Sequence, residues 1–179
     1  MTTRSRPLIV LLGVALAAAP AATGATTLTF TPPASAAFSS TLNGSDRTGT
    51  YSLSIPVSYT SNGNNKFATL GWHITGTSTT FKGNVTAKAL ATTASSITSF
   101  ADSVGCTLSN CTDPTNTIGY PLVIPAATVA PAAISIYSAS ANTGTGGNTL
   151  TMQVSVAIPA NTFADTYAST LTLAIIEGP

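Results

Sequence analysis

Leu150-Thr-Met-Gln-Val-Ser-Val-Ala-Ile158 alternates large apolar side chains with small or polar ones, without a break. That is the period of a β-strand with one face in a core and the other in water. The same reading holds for Tyr51, Leu53, Ile55, Val57 and Tyr59, which alternate with Ser52, Ser54, Pro56 and Ser58. Pro56, on the polar phase and without an amide hydrogen, predicts an edge position or a bulge there. A third stretch sets Tyr167, Ser169, Leu171, Leu173 and Ile175 on one face and Thr170, Thr172 and Ala174 on the other. Shorter strands are expected over 26–31, 37–42, 70–75, 85–91, 97–101, 120–124 and 134–138. Turn-forming clusters separate them at Asn43-Gly-Ser-Asp46, Ser61-Asn-Gly-Asn-Asn65 and Asn142 to Asn148. Beyond the N-terminal segment no stretch carries a helical stripe, and Pro recurs at 121, 125, 131 and 159. Many short strands joined by polar turns predict an all-β fold, an antiparallel two-sheet β-sandwich of Ig-like type, with a closed barrel as the alternative.

Composition narrows the function classes. The chain has 179 residues, of which 44% are hydrophobic and only 6% charged, while 33 are Thr and 20 are Ser. Six Lys and Arg cannot pave a phosphate-binding surface, so nucleic acid is excluded as a partner. The hydrophobic fraction is too high for a disordered solvating segment. A single folded core is expected, since a chain of this size buries roughly two thirds of its unfolded surface.

The N-terminus reads as an export signal over residues 1–25. Arg4 and Arg6 supply a positive start, Pro7 to Ala18 a short apolar run, and Ala19-Pro20-Ala21 a small-x-small site, with alternatives near Ala25. The run is too short for the roughly 20 residues of a membrane helix. Residues 26–179 are then one domain, secreted, with no membrane span after signal removal. The C-terminal Glu177-Gly178-Pro179 carries no sorting tail, so retention at a cell surface is expected to be non-covalent. Export also bears on the two cysteines, Cys106 and Cys111. An even count in an oxidising compartment, with Asn110, Asp113 and Pro114 to turn the backbone, predicts a disulfide closing a small loop. By the loop-entropy model it contributes about 2 kcal/mol. Metal binding would need further ligands, and a redox pair usually has two intervening residues.

Motifs of catalysis are missing: there is no Gly-x-Ser-x-Gly elbow, no His-Glu-x-x-His and no phosphate-binding glycine loop. No catalytic residue, metal site or cofactor is assigned. Two residues are candidates for binding. Trp72, the single tryptophan, shares a strand face with Ile74 and is either a core residue or a platform for a sugar ring. His73, the single histidine, points the other way, and the five scattered carboxylates offer it no obvious partner.

Gly71-Trp72-His73-Ile74-Thr75, following a Ser/Gly/Asn-rich loop, together with a last strand entered through Thr166-Tyr167 and running Leu171-Thr-Leu-Ala-Ile-Ile176 to Gly178-Pro179, resembles the WxL domain of secreted bacterial surface proteins. Trp72-His73-Ile74 stands at the first Trp-x-Leu motif with Ile for Leu. Leu173-Ala174-Ile175 stands at the second, without its Trp. The resemblance implies a β-rich fold and non-covalent attachment to the cell wall through peptidoglycan. The expected function is thus a non-catalytic, cell wall-associated surface protein whose partners are wall glycan or other surface proteins. The alternatives are a structural subunit of a surface fibre or biofilm matrix, suggested by low charge and many strands, and a carbohydrate-binding module.

Overall fold

The computed structural model describes residues 7–16, 26–61, 70–103 and 111–178. Among them there is no helix, and so none long and apolar enough to cross a membrane. In chain order the strands are β1 (Pro7–Leu16), β2 (Thr26–Phe30), β3 (Ser35–Thr41), β4 (Arg47–Ser61), β5 (Trp72–Thr79), β6 (Lys82–Gly83), β7 (Ser95–Ser103), β8 (Leu122–Val123), β9 (Ala126–Ala127), β10 (Ile134–Ala139), β11 (Gly146–Ile158) and β12 (Thr166–Glu177). They form two sheets. One runs β10-β5-β12-β1-β3, with β6 on β12 and β9 on β5; the other runs β2-β4-β11-β7-β8. Pairing is antiparallel except for β1 with β12 and β5 with β9.

The three long alternating stretches behave as their period demands. In β4, Tyr51, Leu53, Ile55, Val57 and Tyr59 are buried while Thr50, Ser52, Ser54, Pro56 and Thr60 are exposed. β11 and β12 alternate in the same way. Leu53, Ile55, Leu150, Met152 and Val154 from one sheet join Ile74, Tyr167, Leu171 and Leu173 from the other in a single apolar cluster. Burial of such side chains stabilises the fold by about 1.5–3 kcal/mol each.

Pro56 lies inside a long strand, and the register shows why it is tolerated. It stands opposite Thr149 of β11, while its carbonyl accepts from the Thr31 amide on the other side. In an extended residue nitrogen and carbonyl point to the same side, so the Pro56 nitrogen faces the flank where β2 has already ended at Phe30. No bond to β11 is lost.

One expected strand is not formed. Residues 85–91 are a turn and loop: Val85 is 89% exposed, Ala87 has φ +54°, and Lys82 and Ala89 make one isolated bridge. The cause is Asp165, whose carboxylate accepts from the backbone amides of Val85 and Thr86 and from the Thr86 hydroxyl. These bonds hold the chain curled where its composition favours extension. Residues 120–124 contribute only the two-residue β8, and β3 starts two residues earlier than expected. The apolar run expected in a leader forms β1, between β12 and β3.

Candidate functional site

Three places can present chemistry: the two ends of the strands and the outer face of the second sheet. At one end, where β12 finishes and β5 begins, stand both candidate binding residues. Trp72 is fully buried. Its ring stacks on Tyr137 with centroids 5.4 Å apart, and its Nε1 donates to the Gly144 carbonyl at 3.0 Å. Gly144 has φ +69°, and a Cβ there would lie 2.7 Å from the indole nitrogen, so only glycine brings this carbonyl so close. Neither ring face is open to a sugar. His73 is half-buried, and its Nδ1 lies 2.7 Å from the Gly178 carbonyl. A carbonyl only accepts, so Nδ1 carries the hydrogen. Since the Gly178 amide donates to the Gly71 carbonyl, the two bonds strap the C-terminal residues onto the start of β5.

The same end gathers an aromatic and carboxylate network. Phe100 packs between Tyr137 and Tyr120 at 5.0 and 5.7 Å. Tyr137 donates to Asp102 at 3.1 Å, and Tyr59 to Glu177 at 2.7 Å. Burial holds the Asp102 carboxyl above the usual carboxylate range, with the Tyr137 hydroxyl opposing that shift and the charge of Asp113 adding to it. Burial likewise pushes the Tyr137 phenol well above its ordinary value, reinforced by the Asp102 charge. Cys111 is not a free thiol. The expected bond to Cys106 falls on a residue outside those described. Among the described residues, no three of His, Cys, Asp and Glu are grouped to hold a metal ion.

At the opposite end, the loop between β11 and β12 meets the loop after β6. Here Phe163 is 56% exposed, the one exposed aromatic ring among the described residues. The Lys88 ammonium stands 5.8 Å from its centroid, and Leu90, Asn161, Thr162 and Tyr167 line a cleft of about 220 Å³ beside it. Asp165 fastens the two loops together. Its carboxyl is held below the usual range by the Thr86 amide and hydroxyl, with the Thr166 and Val85 amides adding to this. Sequence reasoning passed over Phe163, which lies on no alternating strand; its place in a loop flanked by Pro159 and Asp165 was the available signal.

The third place is the broadest. On the outer face of the second sheet the register aligns Ser58 with Gly147, Pro56 with Thr149, Ser54 with Thr151, Ser52 with Gln153 and Thr50 with Ser155. β2 extends this face with Thr27 and Thr29, and β7 with Ser99 and Ala101. Thr29, Thr31, Pro56, Ser58 and Thr149 frame a shallow groove of about 270 Å³. The array spans four strands without a charged side chain, and its hydroxyls both donate and accept. Comparison with protein-family models, with curated proteins and with solved structures finds no match.

Proposed function

We propose that this chain is exported, loses residues 1–25, and works outside the cell as a non-catalytic surface domain that associates non-covalently with wall glycan. The observation that carries the reading is the uncharged hydroxyl face of the second sheet. Such a face offers many weak hydrogen bonds and no field, which suits a neutral polymer of sugar hydroxyls and amides better than a charged one. The N-terminal signal pattern and the resemblance of Trp72-His73-Ile74 and the last strand to the WxL domain support the same location. The sandwich is read as Ig-like, and Cys106 and Cys111 as its disulfide.

Purified peptidoglycan provides the test. The secreted protein should co-sediment with it, and Ser54→Lys with Thr151→Lys, an exposed and a half-buried position opposite each other on this face, should lower retention at least tenfold with the melting temperature kept. Retention no greater than that of an unrelated β-domain, or unaffected by the pair, overturns the reading. A second reading, a structural subunit of a surface fibre or matrix, is favoured by the position of β1 between β12 and β3.

A further inference from the structure

We propose that the space filled by β1 is a strand-binding slot, and that in the exported chain a strand from a second copy of the protein occupies it. The inference rests on leader removal, because β1 lies wholly within the segment assigned to the signal.

β1 is bonded on both sides. It runs parallel to β12, from Ile9 opposite Thr166 to Leu16 opposite Leu173, and antiparallel to β3, from Pro7 opposite Thr41 to Gly13 opposite Ser35. Without it, two strand edges face each other across two strand spacings, roughly 9–10 Å. Every residue on both edges is uncharged, from Thr166 to Leu173 and from Ser35 to Thr41. Neither edge carries the lysines or prolines that keep foreign strands away.

β3 is fastened in ways that oppose its sliding across to close the gap. Thr31 donates to the Pro56 carbonyl just before it, and Asp46 accepts from the Ala160 amide just after it. In between, Phe38 stacks on Tyr51 at 6.0 Å and lies flat over Gly49, where a side chain would collide with the ring. The slot therefore stays one strand wide, and addition of a strand satisfies both rows of amides and carbonyls at once.

The structure itself seats an uncharged ten-residue strand of this chain there. The ends of the molecule favour a second copy as donor. Among the described residues, Asp102, Asp113 and Glu177 gather where β12 finishes, whereas Arg47, Lys82 and Lys88 outnumber Asp46 and Asp165 where it begins. Copies stacked end to end bring opposite charge together. Such a head-to-tail contact is not self-complementary, so it adds copies in one direction and, where the rotation between them does not close a ring, propagates as a filament.

The test starts from the full-length chain, expressed through a secretory route and recovered from the medium. Intact mass reads the N-terminus, and analytical ultracentrifugation at micromolar concentration reads the assembly. Leader-free protein is expected to sediment as multimers, and a peptide with the sequence of Pro7–Leu16, extended by terminal lysines for solubility, should convert most of it to monomer. In parallel, Ser39→Cys with Thr166→Cys places thiols at one level on either side of the slot. Across two strand spacings they exceed the roughly 7 Å that a disulfide can bridge, so no bond should form within one chain. Leader-free protein that stays monomeric, or an intrachain bond between the introduced thiols, overturns the slot while leaving export standing. A secreted product whose mass still contains residues 7–16 overturns leader removal and the slot with it.

Discussion

Trp72 joins two distant parts of the chain. Its period placed it beside Ile74 on an inward face, and both are fully buried. What the sequence around it could not disclose is the Gly144 carbonyl, which reaches the indole from a loop 72 residues away. Trp72→Ala should cost about 3–5 kcal/mol in urea unfolding, and Trp72→Phe less, the ring stack surviving while the carbonyl is left unpaired at about 1–3 kcal/mol. A cost under about 1 kcal/mol for the alanine variant would remove Trp72 from the core. Tyr137→Phe tests the neighbouring network. It removes the donor to the largely solvent-exposed Asp102 carboxylate, and its cost of about 0.5–1.5 kcal/mol at pH 7 should shrink as acid protonates that carboxyl. A cost equal at pH 7 and pH 3 would show that the bond contributes nothing.

Among the elements, those whose period is long and unbroken were legible, because one buried face suffices to fix them. The loop at 85–91 was not. Val85, Val-Thr spacing and alanines look extended in isolation, and the residue that decides otherwise, Asp165, lies 80 positions away. Asp165→Asn keeps the shape but turns one of the two accepting oxygens into an amino group that only donates, so the bonds to that atom are lost and those to the other lose the strength its charge gave them. Hydrogen exchange at the Val85 and Thr86 amides should quicken in the variant while β4 and β11 stay protected. The same opening should appear in the parent at low pH. A carboxyl held below its unfolded value stabilises the fold above that value, and the contribution is lost as pH falls through the lowered one. Equal protection in variant and parent would mean that the turn holds itself. Pro56 shows a local signal that pairing overrode: its residue type predicts an edge or a bulge, yet β4 pairs β2 and β11 with an unbroken register, and the proline is tolerated because its nitrogen faces the flank just past the end of β2.

For the molecule as a whole, near-absence of charge and alternating strands foretold two sheets with hydroxyl outer faces, whereas the seat of β1 depended on pairing partners that only the folded chain brings together. The five tyrosines give the whole structure a common response to alkali. All five phenols are raised by burial, Tyr120 to about 12 and Tyr51, Tyr59 and Tyr137 further. In the unfolded chain they ionise near pH 10. A group whose folded value is raised contributes stability that is complete below its unfolded value and disappears as pH rises through the folded one. Stability should therefore be flat through neutral pH and fall steeply above about pH 10, with five groups acting together. Tyrosinate absorbance and the loss of β-sheet circular dichroism should rise in one cooperative step, because ionisation of a core phenol requires the sheets to separate. Tyrosinate appearing near pH 10 with the sheet signal intact would place these rings in solvent and break the account of the core to which Tyr51 and Tyr59 of β4, Tyr137 of β10 and Tyr167 of β12 belong.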